Sequence, residues 1–113
     1  MATISNLVID QGTTFSSIIT LTNQDGTPMD LTDYTVKSQF RKSYQSSSAV
    51  NFTASIYDAL AGQVLLKLDP SDTTDIQAGR YLYDIELTSP SPDFTKTRAL
   101  EGLVILTPEI TKT

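Results

Sequence analysis

Apolar side chains recur along this chain with a period of two, the spacing of a strand with one face buried and one solvated. From Thr13 to Asn23, Phe15, Ser17, Ile19 and Leu21 fall on one face and Thr14, Ser16, Ile18, Thr20 and Thr22 on the other. The same alternation returns in Tyr34, Val36, Ser38 and Phe40 against Thr35, Lys37, Gln39 and Arg41. It recurs in Val50, Phe52, Ala54 and Ile56, and in Val64, Leu66 and Leu68. Arg80 to Thr88 sets Tyr81, Tyr83, Ile85 and Leu87 against Leu82, Asp84 and Glu86. Thr97 to Thr107 sets Leu100, Val104 and Leu106 against Ala99, Leu103 and Ile105, with Gly102 expected to mark a bulge. With an N-terminal strand over Ile4 to Ile9, the pattern predicts seven strands.

The connections carry turn chemistry. Gln24-Asp25-Gly26-Thr27-Pro28 supplies a glycine for positive φ and an aspartate that bonds its own backbone two residues on. Lys42 to Ser48 is polar and serine-rich, Gly62 marks a turn, and Pro70 ends the strand before it because proline has no N–H for a ladder. Asp69 to Ala78 has room for a single helical turn, and Ser89-Pro90-Ser91-Pro92-Asp93 stops any helix. No segment of ten residues fits a helix. The expected fold is therefore all-β, a seven-stranded antiparallel immunoglobulin-like β-sandwich forming one domain over residues 1–113. Within it, Gly79-Arg80-Tyr81-Leu82-Tyr83 is similar to the start of strand F in immunoglobulin-like domains, with Tyr81 as the tyrosine whose hydroxyl bonds back to the preceding corner. Tyr83 stands where antibody domains place a cysteine, and Asp75 lies two residues upstream of the usual aspartate.

Composition narrows the chemistry. The 113 residues are enough to bury roughly two thirds of the unfolded surface. The chain has no cysteine and no histidine, which removes thiolate chemistry, the commonest general base and the commonest zinc ligand. A net charge of −5 disfavours a nucleic-acid partner. No apolar run approaches the ~20 residues of a membrane span, and the N-terminus lacks a basic stretch followed by an apolar one, so no membrane partner is expected and synthesis is expected in a cytoplasm.

Four groups were candidates for chemistry. Asp69, Asp72 and Asp75 offer oxygen ligands to calcium, but without the spacing or terminal glutamate of a calcium loop. Asp84, Glu86, Glu101 and Glu109 could in principle pair as glycosidase carboxylates, yet a solvated sheet face accounts for them better. Lys37, Arg41 and Lys42 form a small basic patch that cross-strand pairing with Asp84 or Glu86 would absorb. Tyr44, Tyr57 and Phe94 are loop aromatics that either contact a ligand or tuck over the open end of the fold. The reading is no enzyme: no catalytic, cofactor-binding or metal site, no cofactor and no small-molecule substrate.

Several stretches together resemble small virion proteins of T4-like phages and the N-terminal domain of phage baseplate upper proteins. They are Asp10-Gln11-Gly12-Thr13-Thr14-Phe15, Gly26-Thr27-Pro28, Asp30-Leu31-Thr32-Asp33-Tyr34-Thr35, Ser38 to Tyr44, Gly79 to Glu86, and Glu101-Gly102 ahead of Pro108-Glu109-Ile110-Thr111. The resemblance implies a non-enzymatic structural or assembly domain of a bacteriophage particle, in the tail, baseplate or capsid-associated layer. It further implies contacts with other virion proteins, a homo-oligomer, and residence in the virion after synthesis in the host cytoplasm. The alternative reading is a free-standing ligand-binding module such as a carbohydrate-binding or adhesion domain.

Overall fold

The alternating segments pair into two sheets in the computed structural model, which describes residues 3–4, 6–43 and 49–108. Chain order runs β1 (Thr3–Ile4), β2 (Leu7–Asp10), β3 (Phe15–Thr20), β4 (Thr35–Arg41), β5 (Val50–Asn51), β6 (Thr53–Asp58), β7 (Gln63–Leu68), α1 (Pro70–Thr74), β8 (Gly79–Thr88) and β9 (Lys96–Thr107). One sheet has the order β1-β9-β8-β4-β5, with β2 also paired to β9, and the other has the order β3-β7-β6. The inward-facing sets of both sheets meet in one core that includes Ile9, Phe40, Val64, Leu66, Ile85, Leu87, Val104 and Leu106. At its centre the Phe52 ring lies 5.2 Å from Phe40, 5.9 Å from Phe15 and 6.2 Å from Tyr83.

The described residues form nine strands where the alternation predicts seven, because two predicted strands are broken. The run from Val50 leaves one sheet for the other at Phe52: β5 pairs with β4, whereas β6 pairs with β7. Phe52 itself still donates its N–H to the Ser38 carbonyl at 3.0 Å. A strand that changes sheets keeps its period of two, so the break leaves no mark in the pattern. The N-terminal run is interrupted between β1 and β2, and the Asn6 side chain bridges the gap by accepting the Leu103 N–H at 3.1 Å.

The purely antiparallel expectation is corrected as well. Both β1 and β2 run parallel to β9. After β2 the chain crosses to the other sheet as β3, so the first strand lies beside the last one in the same direction instead of folding back as a hairpin.

The bulge falls at Ala99, since Ile85 stands opposite Leu100 while Glu86 stands opposite Arg98. Gly102 is in regular register opposite the buried Tyr83. The polar connection after β7 contains the expected helical turn, α1. Proline opens it, the Asp72 carboxylate accepts the Asp69 N–H at 3.0 Å, and the buried Thr73 hydroxyl reaches the Thr13 carbonyl at 3.0 Å.

Candidate interaction surface

The outer face of the larger sheet places Val8, Ile105, Leu103 and Leu82 side by side. Val8 pairs with Ile105 across β2 and β9, and Leu103 pairs with Leu82 across β9 and β8. Leu103 and Ile105 share a face because they are two residues apart on one strand. Val8 is 61% exposed and Ile105 38%, and Leu82 and Leu103 are half-buried. Together they form an apolar band across three strands on the outer face of the sheet.

Polar side chains border this band. Arg98 lies 3.1 Å from the Asp84 carboxylate and 3.4 Å from that of Glu101. Gln39, Arg41, Leu82, Asp84, Glu86 and Arg98 line a shallow hollow of about 280 Å³ next to it. Asp84 thus takes its cation from β9. The register sets Lys37 opposite Glu86 but Arg41 opposite Leu82, so the basic residues of β4 do not converge on Asp84. Lys42 turns away, with its ammonium 5.0 Å from the centre of the Tyr81 ring.

The remaining candidate groups are dispersed. No three acidic side chains gather at metal-binding distances among the described residues. In the acidic loop, Asp69 and Asp72 form the start of α1. Asp84 and Glu101 share Arg98 as an ion-pair partner, and Glu109 lies outside the described residues. Tyr81 occupies the corner position expected for it, donating its hydroxyl to the Gln77 carbonyl at 2.5 Å. Partial burial pushes its phenol above the ordinary value.

Sequence reasoning singles out Tyr57 and Phe94 but not Leu60, nor the cluster of loops that gathers the three at one end. The turn after β6 is bonded to the β3–β4 loop, with the Leu31 N–H donating to Ala59 at 2.9 Å. The first residue of β4, Thr35, pairs with Thr88, the last of β8, so the β8–β9 loop leaves from that same end. Tyr57, Leu60 and Phe94 are all exposed there. Among the described residues neither aromatic ring packs on another, and Tyr44 lies outside those residues. The exposed Leu60 was the available signal, an apolar residue in the turn before Gly62.

No helix among the described residues is long and apolar enough to cross a membrane. No protein-family model matches the chain, and no curated protein matches it by sequence. Among solved structures, it is similar to an internalin-like protein of Listeria monocytogenes, with a TM-score of 0.45 and 15% identity over 96% of this chain. This chain spans 28% of that protein's length. It is also similar to a structure from a study of multimeric cell-adhesive interactions of VGSC beta subunits, with a TM-score of 0.44 and 9% identity, covering 96% of this chain and 93% of the other.

Proposed function

We propose that this chain is an immunoglobulin-like interaction domain that acts by being bound, without catalysis, as a structural or assembly part of a bacteriophage particle. The observation that carries the interaction reading is the exposed apolar band of Val8, Ile105, Leu103 and Leu82 on the outer face of the larger sheet. A flat band of this kind suits burial against another protein surface and offers little to a small soluble ligand. The immunoglobulin-like reading draws support from the tyrosine corner. The phage assignment rests on the resemblance in sequence, which is also the ground for proposing the virion as its location and other virion proteins as its partners.

The test is to raise antibodies against the purified chain and label phage particles purified from the cells in which its gene is expressed. Regularly spaced label on tail, baseplate or capsid, with the chain present in the particle by mass spectrometry, is the expected result. Purified particles that lack the chain would sink the phage assignment. Replacing Val8 and Ile105 together by aspartate should abolish incorporation while leaving the fold intact, because both side chains point away from the core.

The exposed Tyr57, Leu60 and Phe94 at the loop end favour a second reading, an adhesion or carbohydrate-binding module. Saturable binding on a glycan array, lost in a Tyr57→Ala, Phe94→Ala variant, would select it over the first.

A further inference from the structure

We infer that the free edge of β3 is a pairing site for a second copy of this chain, joining two three-stranded sheets into one. Among the described residues β3 has β7 on one side and no strand on the other. The Leu21 N–H bonds to the Gly62 carbonyl at 2.7 Å, so the odd-numbered residues of β3 turn their backbone groups toward β7. Antiparallel pairing alternates these directions, and Ser16, Ile18 and Thr20 therefore present their N–H and C=O groups to the open side.

The other sheet edges carry guards that discourage strand addition. β5 has two residues, β6 ends in a register shift and Asp58, and β2 has four residues and ends in Asp10. β3 has neither charge nor proline, and the uncharged run extends from Gln11 to Gln24. Such an edge is a template for another strand. A chain with a net charge of −5 repels its own copies, and this edge is where two copies meet without opposing like charges.

The strand is also complementary to itself. A two-fold axis normal to the sheet keeps both inner faces on one side, so each residue must face one of the same parity. With the axis at Ile18, Ile18 faces Ile18 of the second copy and Ser16 faces Thr20, and the outward backbone groups make about six hydrogen bonds. Ile18, 47% exposed, already pairs with Leu65, so the joined sheet carries a continuous apolar row of Leu65, Ile18 and their two symmetry mates. On the inner side Phe15, Ser17 and Ile19 are half-buried, and a second strand added at this edge would extend their cover. This inference rests on the reading of the chain as a protein-contact domain and names one of its partners.

The test is the mass of the full chain in solution by sedimentation from about 10 μM to about 1 mM, with Ile18→Lys compared with Ser55→Lys, an exposed position on β6 at the far edge of the same sheet. The expected result is a concentration-dependent dimer whose dissociation constant rises at least about a hundredfold in Ile18→Lys and is unchanged in Ser55→Lys. A monomer across the whole range, or an Ile18→Lys variant that dimerises like the parent, overturns it. Amide exchange of the unmodified chain decides independently of whether the variant folds. Protection of Ser16, Ile18 and Thr20 that grows with concentration supports the pairing, and free exchange at every concentration removes it. A strict monomer that still enters a phage particle would sink this inference alone, whereas a β3-paired dimer absent from every particle would sink only the phage assignment.

Discussion

The Tyr81 hydroxyl donates to the Gln77 carbonyl at 2.5 Å, so the residue that opens the core face of β8 also ties down the turn that leads into it. The Tyr81 ring lies edge-on to Phe40 at 5.3 Å and beneath Lys42, so one side chain joins the turn, the core and the end of β4. Tyr81→Phe keeps the ring contacts and removes only the hydrogen bond, and should cost about 1–2 kcal/mol in urea unfolding.

The same variant has a signature in base. Burial raises the Tyr81 phenol above its ordinary value of 10.0, so folding favours the neutral form. That contribution is fully present below the unfolded value and is lost as pH rises through the folded one. The stability gap between the unmodified protein and Tyr81→Phe should therefore narrow above about pH 10, read as thermal midpoints across an alkaline series.

At the acid end, Asp25 and Asp30 report on the β3–β4 connection. Each accepts from the hydroxyl of the threonine two residues on at 2.6 Å and from its N–H at 3.0 Å, Asp25 from Thr27 and Asp30 from Thr32. These bonds, the hydroxyl first, hold both carboxylates below the ordinary 3.8. Their contribution is present above that value and lost as pH falls through the lowered one. An Asp25→Asn, Asp30→Asn variant should lose less thermal stability than the parent between about pH 4 and pH 2 in a circular-dichroism melt series.

Two glycines should respond differently to the same substitution. Gly62 has φ +69°, and a Cβ there would lie 2.4 Å from the Leu21 carbonyl oxygen and 2.9 Å from the Met29 backbone. Gly62→Ala adds a backbone clash to the strained φ and should cost more than about 2 kcal/mol. Gly26, at φ +89°, has no neighbour within 4 Å of such a Cβ, so Gly26→Ala should cost about 1 kcal/mol, from strain alone. Paired urea titrations separate the two.

Thr73 should be intolerant of an isosteric apolar replacement. Its buried hydroxyl bonds to the Thr13 carbonyl at 3.0 Å, linking α1 to the entry of β3, and lies 3.2 Å from the Pro70 carbonyl. Thr73→Val keeps the shape but strands the Thr13 acceptor, at a cost of about 1–3 kcal/mol, and should raise amide exchange at the start of β3.

The sequence by itself determined which residues face the core. Val64, Leu66, Leu68, Ile85, Leu87, Leu100, Val104 and Leu106 are all buried as the period of two requires, because alternation is a property of each strand's own pleat. It also placed the Tyr81 corner, whose partner is four residues away, and the helical turn α1, which proline opens by acting on its own backbone. Tertiary structure alone decided which strands become neighbours. The move from one sheet to the other at Phe52, the parallel placement of β2 against β9 and the bulge at Ala99 depend on partners far away in sequence. The apolar band has the same origin: Val8, Leu82, Leu103 and Ile105 are ordinary outward residues on separate segments until pairing sets them side by side. A strand records which way its side chains point, and only the assembled sheet establishes what stands beside them.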